Sequence, residues 1–456
     1  MQDLTTGSLS RHLLKTSGFM LVGMVFQTMY VLIDLYWVGR LGTDAVAAVA
    51  ISGNLMFLVL AATQMLGVGT TTLVSHAVGR KEHETARLVF NQSLDLSAVI
   101  GVLFLAVALA LRTFYADSLS ADALTAALAG DYLLWFIPAL GLQFGLVAMG
   151  AALRGTGNFK PGMVVQSATI LINIVLAPVL IFGWGIGVAF GVAGAAIATL
   201  MAVAIGTVWM TLYFLPADAY LKFSPVQMRP RLKLWASLLK IGLPAGAEFA
   251  LMTVYLVIVY TVSRPFGASA QAGFGIGMRV IQACFMPVVA LGFAVAPVAG
   301  QNFGARRADR VRQTFYVAAG MSAAVMVLVF FASQFVAAPV VAVFTNEATV
   351  VAVGEEYLRF VSWSFVASGI IFVASSMFQA MGNTLPSLVS SFTRILLVAI
   401  PVLLLSRVPG FVLRWVWLLS AATIVVQLAI SLLLLRREFR RRLVFDNAAT
   451  RVPAPV

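Results

Sequence analysis

Twelve stretches of about 20 or more residues, each nearly free of charge, follow one another along this chain. A helix rising about 1.5 Å per residue needs about 20 apolar residues to cross a hydrocarbon layer about 30 Å thick, so each run is long enough to span one. The runs lie near 13–38, 46–76, 91–111, 132–152, 162–183, 188–215, 236–263, 270–299, 315–343, 357–380, 387–406 and 410–435. They are far longer than the roughly ten alternating residues of a barrel strand, and an open sheet edge cannot be satisfied in lipid, so helices are expected throughout. Composition agrees: 61% of residues are hydrophobic and 10% charged, which leaves too little polar surface to cover a soluble domain of this length.

Charge sets the expected orientation. Of the 30 Lys and Arg, 22 fall in the termini and the even-numbered connections, among them Arg80, Arg231, Arg307 and Arg440. Positive residues accumulate on the cytoplasmic side, so both termini are placed there. The net charge of +13 then reads as an inner-leaflet anchor, and no nucleic-acid partner is needed to explain it. Membrane lipids are the expected surroundings. The single cysteine, Cys284, cannot form an intramolecular bridge.

The chain also repeats itself. Adding 225 to a position carries Leu41-Gly42 to Phe266-Gly267, Leu66-Gly67 to Leu291-Gly292, Asp131-Tyr132-Leu133 to Glu356-Tyr357-Leu358, and Gly157, Asn158 and Pro161 to Gly382, Asn383 and Pro386. A constant offset through Gly, Pro, Tyr and polar positions points to a duplicated unit of six spans, with both copies in the same topology. The fold class is therefore all-α integral membrane, with twelve transmembrane helices in two six-helix bundles related by internal duplication. The expected organisation is an N-terminal lobe at 1–215, a cytoplasmic linker at 216–235, a C-terminal lobe at 236–435 and a basic cytoplasmic tail at 436–456.

Four segments carry a family resemblance: Asp34 to Gly42 (DLYWVGRLG), Leu153 to Pro161 (LRGTGNFKP), Pro297 to Gly304 (PVAGQNFG) and Gln379 to Pro386 (QAMGNTLP). In this order, and with the duplication, the chain resembles the multidrug and toxic compound extrusion (MATE) family over essentially its whole length. The resemblance implies a secondary carrier in the bacterial inner membrane. It would export amphipathic, often cationic compounds by antiport with protons or sodium, without a cofactor, as a monomer. The alternative is a lipid-linked oligosaccharide or other lipid flippase of the same superfamily.

An ionisable side chain at membrane depth costs at least about 2.5 kcal/mol on insertion scales, so the few present are functional candidates. Asp34 falls about 22 Å into the first span, counting about 1.5 Å per residue. It coincides with the family's first-span acid, a coupling site for H+ or Na+; the competing reading pairs it with Arg40. By the same resemblance, Asn173 and Thr199 are its polar partners, with plain helix–helix hydrogen bonding as the alternative. Glu248, just after Pro244, is the second coupling candidate, against a structural pairing with Arg279 or Lys240. Gln27, Tyr30, Gln64, Phe249, Met252, Tyr255 and Arg279 are assigned to a substrate cavity, because stacking, thioether and amide contacts suit flat hydrophobic cations. His76 reads as a solvated group at the end of the second span, and Asp95 as an interfacial one.

Two departures from the family pattern bear on the ion. Ala177 stands where one branch has a second carboxylate, and positions 366–377 hold serines where sodium-coupled relatives carry an Asp. No zinc-protease helix motif, nucleophile elbow, Cys/His cluster or Walker loop occurs, so neither an enzyme nor an ATP-driven pump is expected.

Overall fold

The computed structural model describes residues 2–185, 187–216 and 219–445; Arg451, counted above with the basic tail, lies outside them. Among the described residues twelve helices are long and apolar enough to cross a membrane: α1 (Leu9–Gly39), α2 (Thr43–Gly79), α3 (His83–Ala110), α4 (Ala123–Gly155), α5 (Lys160–Phe182), α6 (Gly191–Tyr213), α7 (Leu232–Phe266), α8 (Ala268–Gly304), α9 (Ala308–Phe335), α10 (Ala348–Ala380), α11 (Leu385–Leu405) and α12 (Leu413–Arg442). Two short helices, Arg112–Leu119 and Ala337–Ala342, supplement them. No strand occurs among the described residues.

Several helices outrun their apolar stretches. α3 begins at His83 rather than near 91, α9 at Ala308 rather than near 315, and α12 continues to Arg442 rather than stopping near 435. Hydropathy registers only the part of a helix that lies in hydrocarbon, while backbone hydrogen bonding carries the helix on into water through good helix formers such as Arg and Glu. The last turns of α12 are also held in place. Buried Glu438 accepts a hydrogen bond from Asn383 Nδ2 at 3.0 Å and pairs with Arg442 Nε at 2.9 Å, and Arg442 donates to the carbonyl of Met381.

By its internal contacts the chain resolves into two compact units. One comprises Leu14–Val78 and Glu82–Ala250; the other runs from Leu251 and includes Leu4–Leu13 and Gly79–Lys81.

In the first unit, α7 approaches α2 at backbone distance. A Cβ added to Gly242 would stand 2.0 Å from the carbonyl oxygen of Met65, so only glycine fits there. α4 lies along the last turns of α2, where Thr71 Oγ1 donates to the carbonyl of Ala151 at 3.0 Å. His76, near the end of α2, is buried, so the expected solvated histidine is corrected. The segment 220–231 is tied to α3: Asn91 Nδ2 donates to the carbonyl of Lys222 while its Oδ1 accepts from Ser224 N, and Gln92 Oε1 accepts from Arg231 N. Two amides thus satisfy backbone groups that would otherwise face the end of a helix bundle unpaired.

The second unit centres on an aromatic stack, with Phe274 and Trp417 parallel at 5.5 Å and Tyr357 edge-on to Trp417 at 4.8 Å. At the end of α8, Leu4 is fully buried. Its N–H donates to Gln301 Oε1 at 3.0 Å, and Asn302, Arg307 and Arg310 donate to the carbonyls of Leu4, Thr5 and Gly7.

The duplication also places an acid before each of two equivalent helices, and the first of them caps its helix. Asp122, the residue before α4, accepts from Thr125 N at 2.8 Å and from Thr125 Oγ1 at 2.9 Å. Its repeat mate Glu347, the residue before α10, accepts from Ser269 Oγ and Thr349 Oγ1. These donors hold both carboxyls below their ordinary range, because each favours the charged form.

Candidate ion-coupling site

Helix α1 places Tyr30 and Asp34 four residues apart, on one face and one turn from each other. Two other helices complete the cluster. α5 and α6 can meet closely because Gly194 lies against the backbone of Leu180, where an added Cβ would be only 2.6 Å away. That contact brings Asn173 of α5 and Thr199 of α6 into register, both buried. Asn173 Nδ2 donates to Thr199 Oγ1 at 3.1 Å, and the Tyr30 hydroxyl lies 3.3 Å from the same oxygen.

The directions of these bonds follow from valence. Thr199 has one hydroxyl hydrogen, which goes to the carbonyl of Ala195 at 3.1 Å. Both of its lone pairs are then acceptors, one for Asn173 and one for Tyr30. Tyr30 is thereby the donor, and its oxygen retains only acceptor capacity. Asp34 Oδ1 is sealed from solvent and has no hydrogen-bond partner. Nor does Asp34 form an ion pair with Arg40, whose guanidinium lies over the rings of Tyr36 at 5.4 Å and Trp37 at 5.9 Å.

Sequence reasoning did not single out Tyr132 as a site residue. This buried side chain of α4 lies close enough to Asp34 and Tyr30 for electrostatic interaction with both. The repeat contained the signal, since the 225-residue offset pairs Tyr132 with Tyr357 and Tyr30 with Tyr255.

The other assigned residues are dispersed. Gln27 and Gln64 are half-buried, and Glu248 is half-buried within α7. Phe249 and Met252 expose 42% and 46% of their surface, whereas Tyr255 is buried in the second unit and Arg279 is exposed. Asp95, read as an interfacial group, is half-buried with Oδ2 sealed and unpartnered. A cavity of about 570 Å³ in the first unit is lined almost wholly by carbon, from Leu55, Leu58, Phe104 and Phe144 to Arg112 at its polar end; it holds none of the assigned residues. Among the described residues no group of three or more His, Cys, Asp or Glu could hold a metal ion.

A family model described as MatE matches residues 20–179 and again 244–405, so the two matches begin 224 and end 226 residues apart. The chain belongs to the MatE family. The double match reproduces the internal repeat, and the protein is a membrane transporter, not an enzyme. Among its relatives, the "Probable multidrug resistance protein YoeA" of Bacillus subtilis is 27% identical and covers 82% of each chain. The "Multidrug export protein MepA" of Staphylococcus haemolyticus is 26% identical over 94% of each. A "FAD transporter" of Shewanella oneidensis is 23% identical over 87% of this chain and 88% of its own. Among solved structures, a MATE protein in a bent conformation superposes with a TM-score of 0.90 at 24% identity, covering 96% of this chain and 97% of its own. An outward-facing MATE-family multidrug resistance transporter gives 0.88 at 24% identity, over 97% and 98%. At these identities the superpositions establish the shared fold of this MatE protein.

Proposed function

We propose that this MatE protein is a secondary efflux carrier that exchanges amphipathic, often cationic, small molecules for protons or sodium. In this reading the repeat-defined lobes, 1–215 and 236–435 joined through 216–235, are the moving parts, with both termini in the cytoplasm and the protein in the bacterial inner membrane as a monomer. Relatives named as multidrug resistance and export proteins support the direction and breadth of transport.

The observation that carries the coupling half is the carboxylate of Asp34, with one oxygen sealed and no donor supplied to it. A buried charge without a hydrogen bond is costly, and a bound cation relieves that cost. The Tyr30 oxygen one turn away can accept from a protonated carboxyl or share a sodium ion with it. Thr199 and Asn173 fix that oxygen in place. Glu248 would be the second acid, in the α7 segment of the first unit. Gln27, Gln64, Phe249 and Met252 would contribute amide, aromatic and thioether contacts to substrate.

The test is expression in a bacterium deleted for its own pumps. Raised tolerance to cationic dyes or fluoroquinolones is the expected result. Failure to export any of them, with complementation of a lipid-linked sugar pathway instead, would replace this reading by a flippase.

A further inference from the structure

The two repeats place opposite charges beside equivalent tyrosines. Tyr30 of the first copy stands one turn from Asp34 and within reach of Thr199; the residues equivalent to Asp34, Asn173 and Thr199 in the second copy are Val259, Val398 and Ile424. The acid and its polar partners have gone. What faces Tyr255 instead is a cation, because Arg394 of α11 lies with Cζ 5.1 Å from the centre of the Tyr255 ring.

Arg394 sits nine residues into α11, about 14 Å along a helix that crosses the bilayer. It takes part in none of the ion pairs formed by Arg87, Arg359, Arg414 and Arg442, and its Nε is sealed without a hydrogen-bond partner. A guanidinium carries five N–H donors in a planar fork that matches a carboxylate, and a tyrosine face satisfies none of them as an acceptor would. The residue as a whole is half-buried.

A polar stripe leads to this charge. On α11, Ser387, Ser390, Ser391 and Arg394 recur at one-turn spacing, and α12 answers with Ser420, Gln427 and Ser431, all buried. Ser390 Oγ is 2.7 Å from Ser431 Oγ, Gln427 Nε2 donates to Ser391 Oγ at 3.2 Å, and the Tyr255 hydroxyl donates to Ser420 Oγ at 3.2 Å. Tyr255 is thus fixed at its hydroxyl end, with its ring held under the guanidinium.

We propose that Arg394, braced by Tyr255 and flanked by the α11–α12 serine stripe, is an anion-binding site that takes the carboxylate of zwitterionic or anionic amphipathic substrates. The proposal rests on the efflux reading and narrows its substrate class: the protein would carry compounds with a negative group as well as cations. A free chloride ion offers the guanidinium the same single charge, and competition between the two distinguishes them.

The experiment measures binding to the full-length protein in detergent, using a fluoroquinolone with a free carboxylate, its methyl ester and ethidium. Arg394→Gln should weaken the free acid about 10- to 100-fold, the loss expected for one charge-assisted contact, while the ester and ethidium change less than about twofold. Arg394→Lys, which keeps the charge but not the fork, should fall between. Chloride should compete with the free acid on the wild type and not on Arg394→Gln. Equal weakening of all three ligands would show a merely structural role and overturn the proposal. So would an unchanged affinity for the free acid in Arg394→Gln, failure of the wild type to bind that acid, or chloride binding lost in the variant without any effect on the acid. Export of ethidium by the wild type in proteoliposomes reads the efflux function separately. Its absence would sink that reading while leaving the charge-dependent binding comparison to decide the site.

Discussion

Asn173 and Tyr30 meet at one atom, the hydroxyl oxygen of Thr199, which lies 3.1 Å from the Asn173 amide nitrogen and 3.3 Å from the Tyr30 hydroxyl. Because Thr199 gives its own hydrogen to Ala195, it fixes the direction of both bonds and leaves Tyr30 facing Asp34 as an acceptor. Thr199→Val keeps the shape of the side chain and removes that oxygen. Buried Asn173 and half-buried Tyr30 then lose their acceptor, at a cost of up to about 1 to 3 kcal/mol each when nothing replaces it. The expected outcome is a lower unfolding midpoint in detergent together with weakened gradient-driven export. Thr199→Ser restores the acceptor and should recover both.

Asp122 and Glu347 supply a pH signature at the other extreme of exposure. Thr125 lowers the carboxyl of Asp122, so its stabilising effect is fully present above the ordinary aspartate range, near pH 3.9, and is lost as pH falls through the lower folded value. The midpoint difference between wild type and Asp122→Ala should therefore be constant above about pH 5 and shrink below about pH 4. Glu347→Ala should behave alike, with its window set from the glutamate range. A difference that grows on acidification would contradict the assigned hydrogen bonds.

The twelve spans and the repeat were legible in the sequence because both depend on composition along one dimension. A long apolar run can satisfy its backbone in lipid only as a helix, and a 225-residue offset needs no knowledge of packing. Asp34 was legible for a similar reason, as a charge where charge is costly. Asn173 and Thr199 came from family resemblance. Tyr132 was not read as a site residue, since a tyrosine in an apolar run looks the same whether it packs, faces lipid or approaches an acid. Nor were the ties from Asn91 and Gln92 to 222–231, which join residues more than 130 positions apart. His76 is buried rather than solvated, because burial at a helix end depends on what packs there, which hydropathy along the chain does not register.

Gly242 offers a direct check of helix approach in the first unit. With an added Cβ only 2.0 Å from the carbonyl of Met65, even Gly242→Ala must push α2 and α7 apart. Overpacking of this kind costs about 1 to 3 kcal/mol. The variant should show a clearly lowered unfolding midpoint, whereas Gly18→Ala, with open space around the added carbon, should not.

Topology is read by labelling single cysteines in a background where Cys284 is replaced. Cysteines at Arg80, Arg231, Arg307 and Arg440 should react only from the cytoplasm, and those at Asp44, Asp122 and Glu347 only from outside. Labelling of the Arg307 position from outside would overturn both the orientation and the parallel arrangement of the repeats.

The last prediction concerns the coupling of ion influx to export. One elementary charge moved through 100 mV is worth about 2.3 kcal/mol, and each pH unit across the membrane adds about 1.4 kcal/mol. A carboxylate can deliver that energy only when its ion occupancy differs between outward- and inward-facing states, because a ligand with equal affinity for both shifts neither. Asp34 has the required character: a sealed oxygen without a donor, one turn from a tyrosine oxygen that can only accept. On the proposed reading, ion loading would satisfy that oxygen and ion loss would leave it bare, so the two states of Asp34 would differ in how they fit the same pocket. Asp34→Asn supplies a permanent amide and breaks this alternation. Export driven by a gradient should be abolished while substrate binding in detergent persists. Running the wild type in proteoliposomes with a pH gradient alone and then a sodium gradient alone identifies the ion by which of the two sustains export. Full export by Asp34→Asn, with Glu248→Gln inactive, would instead assign coupling to Glu248.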